Sequence, residues 1–255
     1  MEPLPFPKYA PFHPIAFGIF PGLADLIQRL SDPIDRIGLF CHISPRINTM
    51  EPVRGNPLEL FLATRNEGKI REIVELLKGS GTSLTSLRDY PGAPQVVENG
   101  RSYRDNALKK ARFFAKWTEK LTLADDSGLE VDYLKGKPGV LSARYAGSGA
   151  DDRKNNRKLL RELKGVPPEK RGAVFRCVMA LVAPWGDVEV VEGECRGQIG
   201  LEEKGDRGFG YDPIFVIPLY GKTVAELTPA AKNRLSHRGK ALRKLKKVLK
   251  RYLGA

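Results

Sequence analysis

The sequence predicts an α/β protein with a mixed central sheet flanked by helices. Three observations carry that expectation. From residue 58 onward, short apolar or alternating runs interchange with segments of helical period. Near residues 173–197 two long strand-like runs follow one another directly, which places an antiparallel hairpin inside an otherwise interleaved order. The chain of 255 residues is 41% apolar and 29% charged, enough for a sizeable core and far from the composition of a disordered chain.

The elements follow in order. LELFLA (58–63) reads as a strand, TRNEGK (64–69) as a polar loop, and IREIVELLKG (70–79) as an amphipathic helix stopped by glycine. An extended run ends at Val96–Val97–Glu98. A helix then starts at Ser102, whose S-x-x-D spacing to Asp105 suits a capping box, with Ala107, Lys110, Ala111 and Phe114 at helical spacing. LTLA (121–124) is a strand that runs into Asp125–Asp126–Ser127–Gly128. Residues 151–165 form a capped helix. AVFRCVMALVAP (173–184) and VEVVEGECRG (188–197) are two strands joined across Pro184–Trp185–Gly186–Asp187. The chain closes with a helix whose apolar stripe is Leu242, Leu245, Leu249 and Tyr252.

Residues 1–57 stand apart as an extension. Positions 1–49 hold eight of the 19 prolines, and GLADLIQRL (22–30) is their one regular-looking piece. The segment reads either as a loosely ordered extension or as sequence upstream of a true start at Met50. Its prolines interrupt the apolar stretch and its start is not basic, against a secretory leader. The domain proper is expected over 58–255.

Composition narrows the function classes. No apolar stretch approaches the roughly 18 residues of a membrane helix. Three cysteines with no CxxC pair and three histidines argue against a disulfide framework and a structural zinc, and for a reducing, cytoplasmic setting. Cys177 and Cys195 are expected in the core. The formal net charge is +13, and residues 229–255 carry ten Lys/Arg with no Asp or Glu. Such a field favours anions without saying which.

Five segments carry candidate chemistry. TRNEGK lies between a strand and a helix, where N–H groups and the helix dipole receive anions; an ordinary polar turn is the other reading. It is not a Walker A loop, since Ala63 stands at the first glycine position and Ile70 at the Ser/Thr position. ADDSG sets two carboxylates at a strand end, of which only one faces a given side of the sheet, so a single acid reaches a metal or else caps a turn. Glu98 ends a strand at the same sheet edge and could complete a divalent-cation site with Asp126, or be an exposed turn residue. GDRGFGYDP (205–213) either lets backbone and an aromatic ring approach a ligand or makes a tight turn with core aromatics; it lacks dinucleotide-fingerprint spacing. KNRLSHRGKA brings Lys232, His237 and Arg238 to the start of the basic helix, as anion ligands or as a solvated face.

Taken together, TRNEGK, Glu98, DNALKKA, LADDSGLEVDYLKGKPGVLSARYAG, FGYDPIF and AELTPAAKNRLSHRGKAL resemble, in this order, the inosine/xanthosine triphosphate pyrophosphatase family, over roughly residues 58–253. The resemblance implies an α/β fold with a substrate cleft between two lobes. It implies a Mg2+-dependent enzyme that splits ITP, dITP or XTP into monophosphate and pyrophosphate, cleansing the nucleotide pool, and that works as a cytoplasmic homodimer. By position, Thr64, Arg65, Asn66, Glu67, Gly68 and Lys69 would hold the triphosphate. Glu98 and Asp126 would hold the metal, with Asp126 also the general base and Ser127 binding substrate beside it. Phe209, Gly210, Tyr211 and Asp212 would line the base pocket, and Lys232, His237 and Arg238 would complete recognition. Two positions depart from the pattern: Arg65 replaces glycine or serine, and Asp105 replaces glutamate. The alternatives are a related pyrophosphatase for other modified nucleotides and a nucleic-acid-binding protein using the basic terminal helix. No nucleic-acid-binding motif supports the latter, and the leucine stripe implies that one face of that helix is buried.

Overall fold

A computed structural model of the chain describes residues 57–253. The expectations for residues 1–49, including the 22–30 piece, the Met50 start and Cys41, lie outside the described residues, as does all but Pro57 of the 1–57 extension.

A seven-stranded sheet organises the fold, in the order β2-β1-β3-β4-β5-β6-β7. Strands β1 (Leu58–Leu62), β2 (Thr82–Ser86) and the start of β3 (Leu121–Val131) are parallel. From β3 through β4 (Gly172–Val182), β5 (Val188–Ile199), β6 (Phe215–Ile217) and β7 (Lys222–Thr223) every neighbour is antiparallel. The sheet is therefore mixed, as the sequence pattern indicates. Among the described residues five α-helices cover it: α1 (Glu67–Leu77), α2 (Tyr103–Thr118), α3 (Asp152–Glu162), α4 (Pro229–Leu235) and α5 (His237–Tyr252).

Three apolar clusters fix the arrangement. Ile73 and Leu77 of α1 and Leu242, Leu245 and Leu249 of α5 bury one face of β1, β3 and β4. Ala107, Ala111 and Phe114 of α2 bury the other face against Phe61, Ala124 and Ala180. The far ends of β3 to β5 build a second lobe with Leu159 of α3, Phe215 and Leu227. Both Cys177 and Cys195 are buried and free. The strand alternation of β3 sends Leu123 to the first cluster and Ala124 to the second, and thereby decides where Asp125 and Asp126 point.

Four expectations change. Helix α1 begins at Glu67, with the Asn66 side chain accepting from Lys69 N, so Glu67, Gly68 and Lys69 form its first turn and not a loop. The run ending at Glu98 pairs with no strand, so Glu98 sits on an irregular segment. β3 does not end at Ala124: the ladder to β4 carries it through Asp125↔Met179 and Asp126↔Val178 to Val131. The capped helix expected to Gly165 closes at Glu162. β2, β6, β7 and α4 are short additions; TSLTS in β2 shows too little apolar contrast to read as a strand.

Candidate active site

The parallel neighbour β1 stops at Leu62, paired with Leu123, and beyond that point β3 continues alone on this side. This leaves a crevice over Asp125 and Asp126, the place where open α/β sheets receive ligands. The first turn of α1 borders it on one side, the Glu98 segment and α2 on another. The 207–212 loop and the start of α5 close it from the second lobe. The cleft has a volume of 370 Å³ and is lined by Thr64, Arg65, Asn66, Lys69, Glu98, Asp126, Ser127, Phe209, Gly210, Tyr211, Asp212, Lys232, His237 and Arg238. Every residue singled out from the sequence is in that lining except two. Glu67 turns outward to pair with Arg71 and Arg88. Gly68 lies under the Phe209 ring, which a Cβ at this position would overlap.

The two aspartates have opposite surroundings because adjacent strand residues face opposite ways. Asp125 is fully buried and serves as an internal counter-anion. Its Oδ1 lies 2.5 Å from the Lys69 ammonium, and its Oδ2 accepts from Arg238 Nε and Nη2 at 3.1 Å each. Burial alone would raise its pKa, but Lys69, Arg238 and Lys110 outweigh it and hold the carboxyl far below its ordinary value. Asp126 lines the cleft. Its Oδ1 accepts from Ser127 N at 3.0 Å and its Oδ2 from Asn106 Nδ2 at 2.9 Å. Burial is the largest influence on it and, with nearby Glu98, raises its pKa despite Lys110 and Lys69. A carboxylate of raised proton affinity facing a cleft is equipped to take a proton.

Cations and anions alternate around the rest of the cleft. Glu72, on the turn of α1 after Lys69, bridges Lys232 at 2.6 Å and Arg238 at 2.6 Å. Asp212 accepts from Lys232 Nζ at 2.5 Å and from Phe209 N at 2.9 Å. Arg238 is 2% exposed, and its guanidinium also reaches Ser127 Oγ at 2.9 Å, so it is held on three sides. The ammonium of Lys232 and the guanidinium of Arg238 sit 4.8 and 5.5 Å from the Phe209 ring centre. His237 stacks on Phe175 with ring centres 4.8 Å apart. Burial, then Arg238, lowers its pKa well below the usual histidine value, so it is neutral at pH 7. Tyr211 is a core residue whose hydroxyl donates to Ser142 O.

The oxygen-only character of Glu98 and Asp126 suits a hard divalent cation. Lys110 already places a positive charge here, its Nζ 2.7 Å from both Glu98 Oε2 and Asp125 O. Among the described residues no three His, Cys, Asp or Glu side chains converge as a metal cage. Two carboxylates with room for phosphate oxygens is the pattern of Mg2+ sites completed by substrate, so the residues fit that ion. Of the two departures, Arg65 is tied back by Nη2 to Ala93 O at 2.8 Å. Asp105 completes the capping box with Ser102 on the surface. Sequence reasoning missed Glu72, Asn106, Asp152, which accepts from Gly210 N at 2.7 Å, and Arg144, which donates to Glu98 O at 3.1 Å. The helical period marks Asn106 as inward-facing, but nothing in the sequence pairs it with Asp126 across 20 residues.

The chain matches the Ham1 family over residues 60–248. A dITP/XTP pyrophosphatase of Desulforamulus reducens is 53% identical over 194 residues, covering 76% of this chain and 96% of that protein. One from Geobacter sulfurreducens is 52% identical over 187 residues, covering 73% and 94%. The solved structure of a HAM1 protein from Coxiella burnetii superposes with a TM-score of 0.69 at 40% identity, over 76% of this chain and 99% of that one.

Proposed function

The chain belongs to the Ham1 family, and on that premise we propose that it hydrolyses deaminated purine nucleoside triphosphates (dITP, ITP and XTP) to the monophosphate and pyrophosphate. The observation that carries this reading is the single cleft. It joins a base-sized aromatic floor at Phe209, buried cations at Lys69, Lys232 and Arg238, and a carboxylate of raised proton affinity at Asp126.

The chemistry follows from those residues. Hydrolysis of the α–β anhydride needs neutralised phosphate oxygens and a positioned water. Lys69 and the free N–H groups opening α1 face the first need. Asp126, held on both oxygens, orients the water and takes its proton as the bridging P–O bond breaks and pyrophosphate departs. Mg2+, held by Glu98 and Asp126, would supply further charge neutralisation and acidify the water. On the base side Phe209 offers a stacking face. Arg238, with its partners fixed, presents a donor that suits the 6-carbonyl of hypoxanthine or xanthine. Adenine would set an amino group against that donor, and a desolvated donor left unpaired is costly.

The same proposal includes Mg2+ dependence, a homodimer and a cytoplasmic setting, each supported by the family resemblance. Among the described residues no helix is long and apolar enough to cross a membrane. The test is release of pyrophosphate from ITP, dITP and XTP with and without Mg2+, with light scattering for the oligomer. Phosphate released one unit at a time, or no turnover of these substrates, would refute it.

A further inference from the structure

We propose that Asn106 is a positioning residue that sets the spacing between Glu98 and Asp126, the two carboxylates assigned above to the divalent cation; the inference rests on that assignment. Asn106 is 2% exposed and sits in the first turn of α2, between the two segments. Its Nδ2 donates to Asp126 Oδ2 at 2.9 Å, and its Oδ1 accepts from Gly100 N at 2.7 Å. The orientation of the amide is thereby fixed, since a backbone N–H needs the oxygen and a carboxylate needs the NH2.

Gly100 lies two residues from Glu98 on the segment that has no ladder partner, so side chains must do what a sheet would otherwise do. Packing enforces the same register. A Cβ on Gly100 would meet Asn106 Oδ1 at 2.7 Å and Asp105 Cβ at 2.7 Å. Lys110 also touches both segments, but its ammonium occupies Glu98 directly and so competes with a cation for it. Asn106 is neutral and holds the Glu98 segment only through the backbone of Gly100. It is therefore the tether compatible with a bound ion, and it leaves the remaining lone pairs of Asp126 facing the cleft.

The experiment is Mn2+ binding to the full-length protein, read by electron paramagnetic resonance without nucleotide, for wild type, Glu98→Gln, Asn106→Leu, Asn106→Ala and Gly100→Ala. Leucine keeps the volume of Asn106. Gly100→Ala disturbs the same tether from a half-exposed loop, and circular dichroism identifies the variants that retain the fold. Outer partners of this kind change metal affinity about 10–100-fold. The expected result is a Mn2+ Kd raised about tenfold or more in each folded Asn106 variant and in Gly100→Ala. Turnover of ITP lost at limiting Mg2+ would recover at saturating Mg2+, which a merely structural defect would not show. Mn2+ affinity within threefold of wild type in all folded variants would overturn the inference while Glu98→Gln still weakened binding. Wild-type protein that takes up no Mn2+, with inorganic pyrophosphate added as well as without it, would overturn the metal assignment and the inference with it.

Discussion

Replacing Asp125 by asparagine removes the anion on which two buried cations of the cleft converge. The carboxylate has no exposed side-chain surface, and its partners Lys69 and Arg238 are 15% and 2% exposed. Arg238 cannot turn to bulk water without moving α5, whereas Lys69 borders the cleft. Arg238 retains Glu72, but Lys69 loses its only ion-pair partner among the described residues. Breaking a buried pair from one side costs about 3–5 kcal/mol. For a domain of this size that lowers Tm by about 6–20 °C. The pH dependence carries a sign as well. The folded pKa of Asp125 lies below its unfolded value, so its stabilisation is present in full above about pH 4 and is lost as pH falls toward the folded value. The gap between wild type and Asp125→Asn should stay level from pH 5 to 8 and close only in stronger acid. Thermal unfolding across that range is the assay. A Tm within about 2 °C of wild type at pH 7 would refute the idea that Asp125 neutralises the cleft cations.

Asp126→Asn should keep the fold and lose about 10²–10⁴-fold in turnover at saturating Mg2+; turnover within threefold of wild type would remove it from the general-base role. Glu98→Gln should raise the Mg2+ concentration for half-maximal rate, whereas an unchanged titration would make Glu98 a partner of Lys110 alone. His237 is buried neutral with a depressed pKa, so the unfolded chain binds its proton first and stability falls as pH drops through about 6.5. The loss sets in as pH falls below about 6.5. His237→Gln should flatten the Tm profile between pH 7 and 5, and an identical slope would mean the imidazole does not titrate on unfolding.

Sequence reasoning succeeded where one local signal decides the outcome. The Ser102–Asp105 capping box, the leucine stripe of α5 and the β4–β5 hairpin stand where their patterns place them. It failed where a distant partner decides. Asp125–Asp126–Ser127–Gly128 reads locally as a turn, yet β4 lends it a ladder and it is mid-strand. Val96–Val97 has strand composition but pairs with no strand. In the cleft most of the lining residues were legible because their motifs are dense in chemistry. Their counterparts were not. Glu72 looks like any exposed helical glutamate until α4 brings Lys232 and α5 brings Arg238 against it. Lys110 reads as a stray polar position on an apolar stripe until β3 supplies a carbonyl.

The central claim, that this cleft selects purines bearing a 6-carbonyl and releases pyrophosphate, is tested most directly by one measurement. It is kcat/KM for pyrophosphate release from ITP, dITP, XTP, GTP and ATP at saturating Mg2+. The account predicts that ITP, dITP and XTP exceed ATP by at least about 10²-fold, because adenine leaves an amino group facing a buried donor. ATP hydrolysed within tenfold of ITP would contradict it.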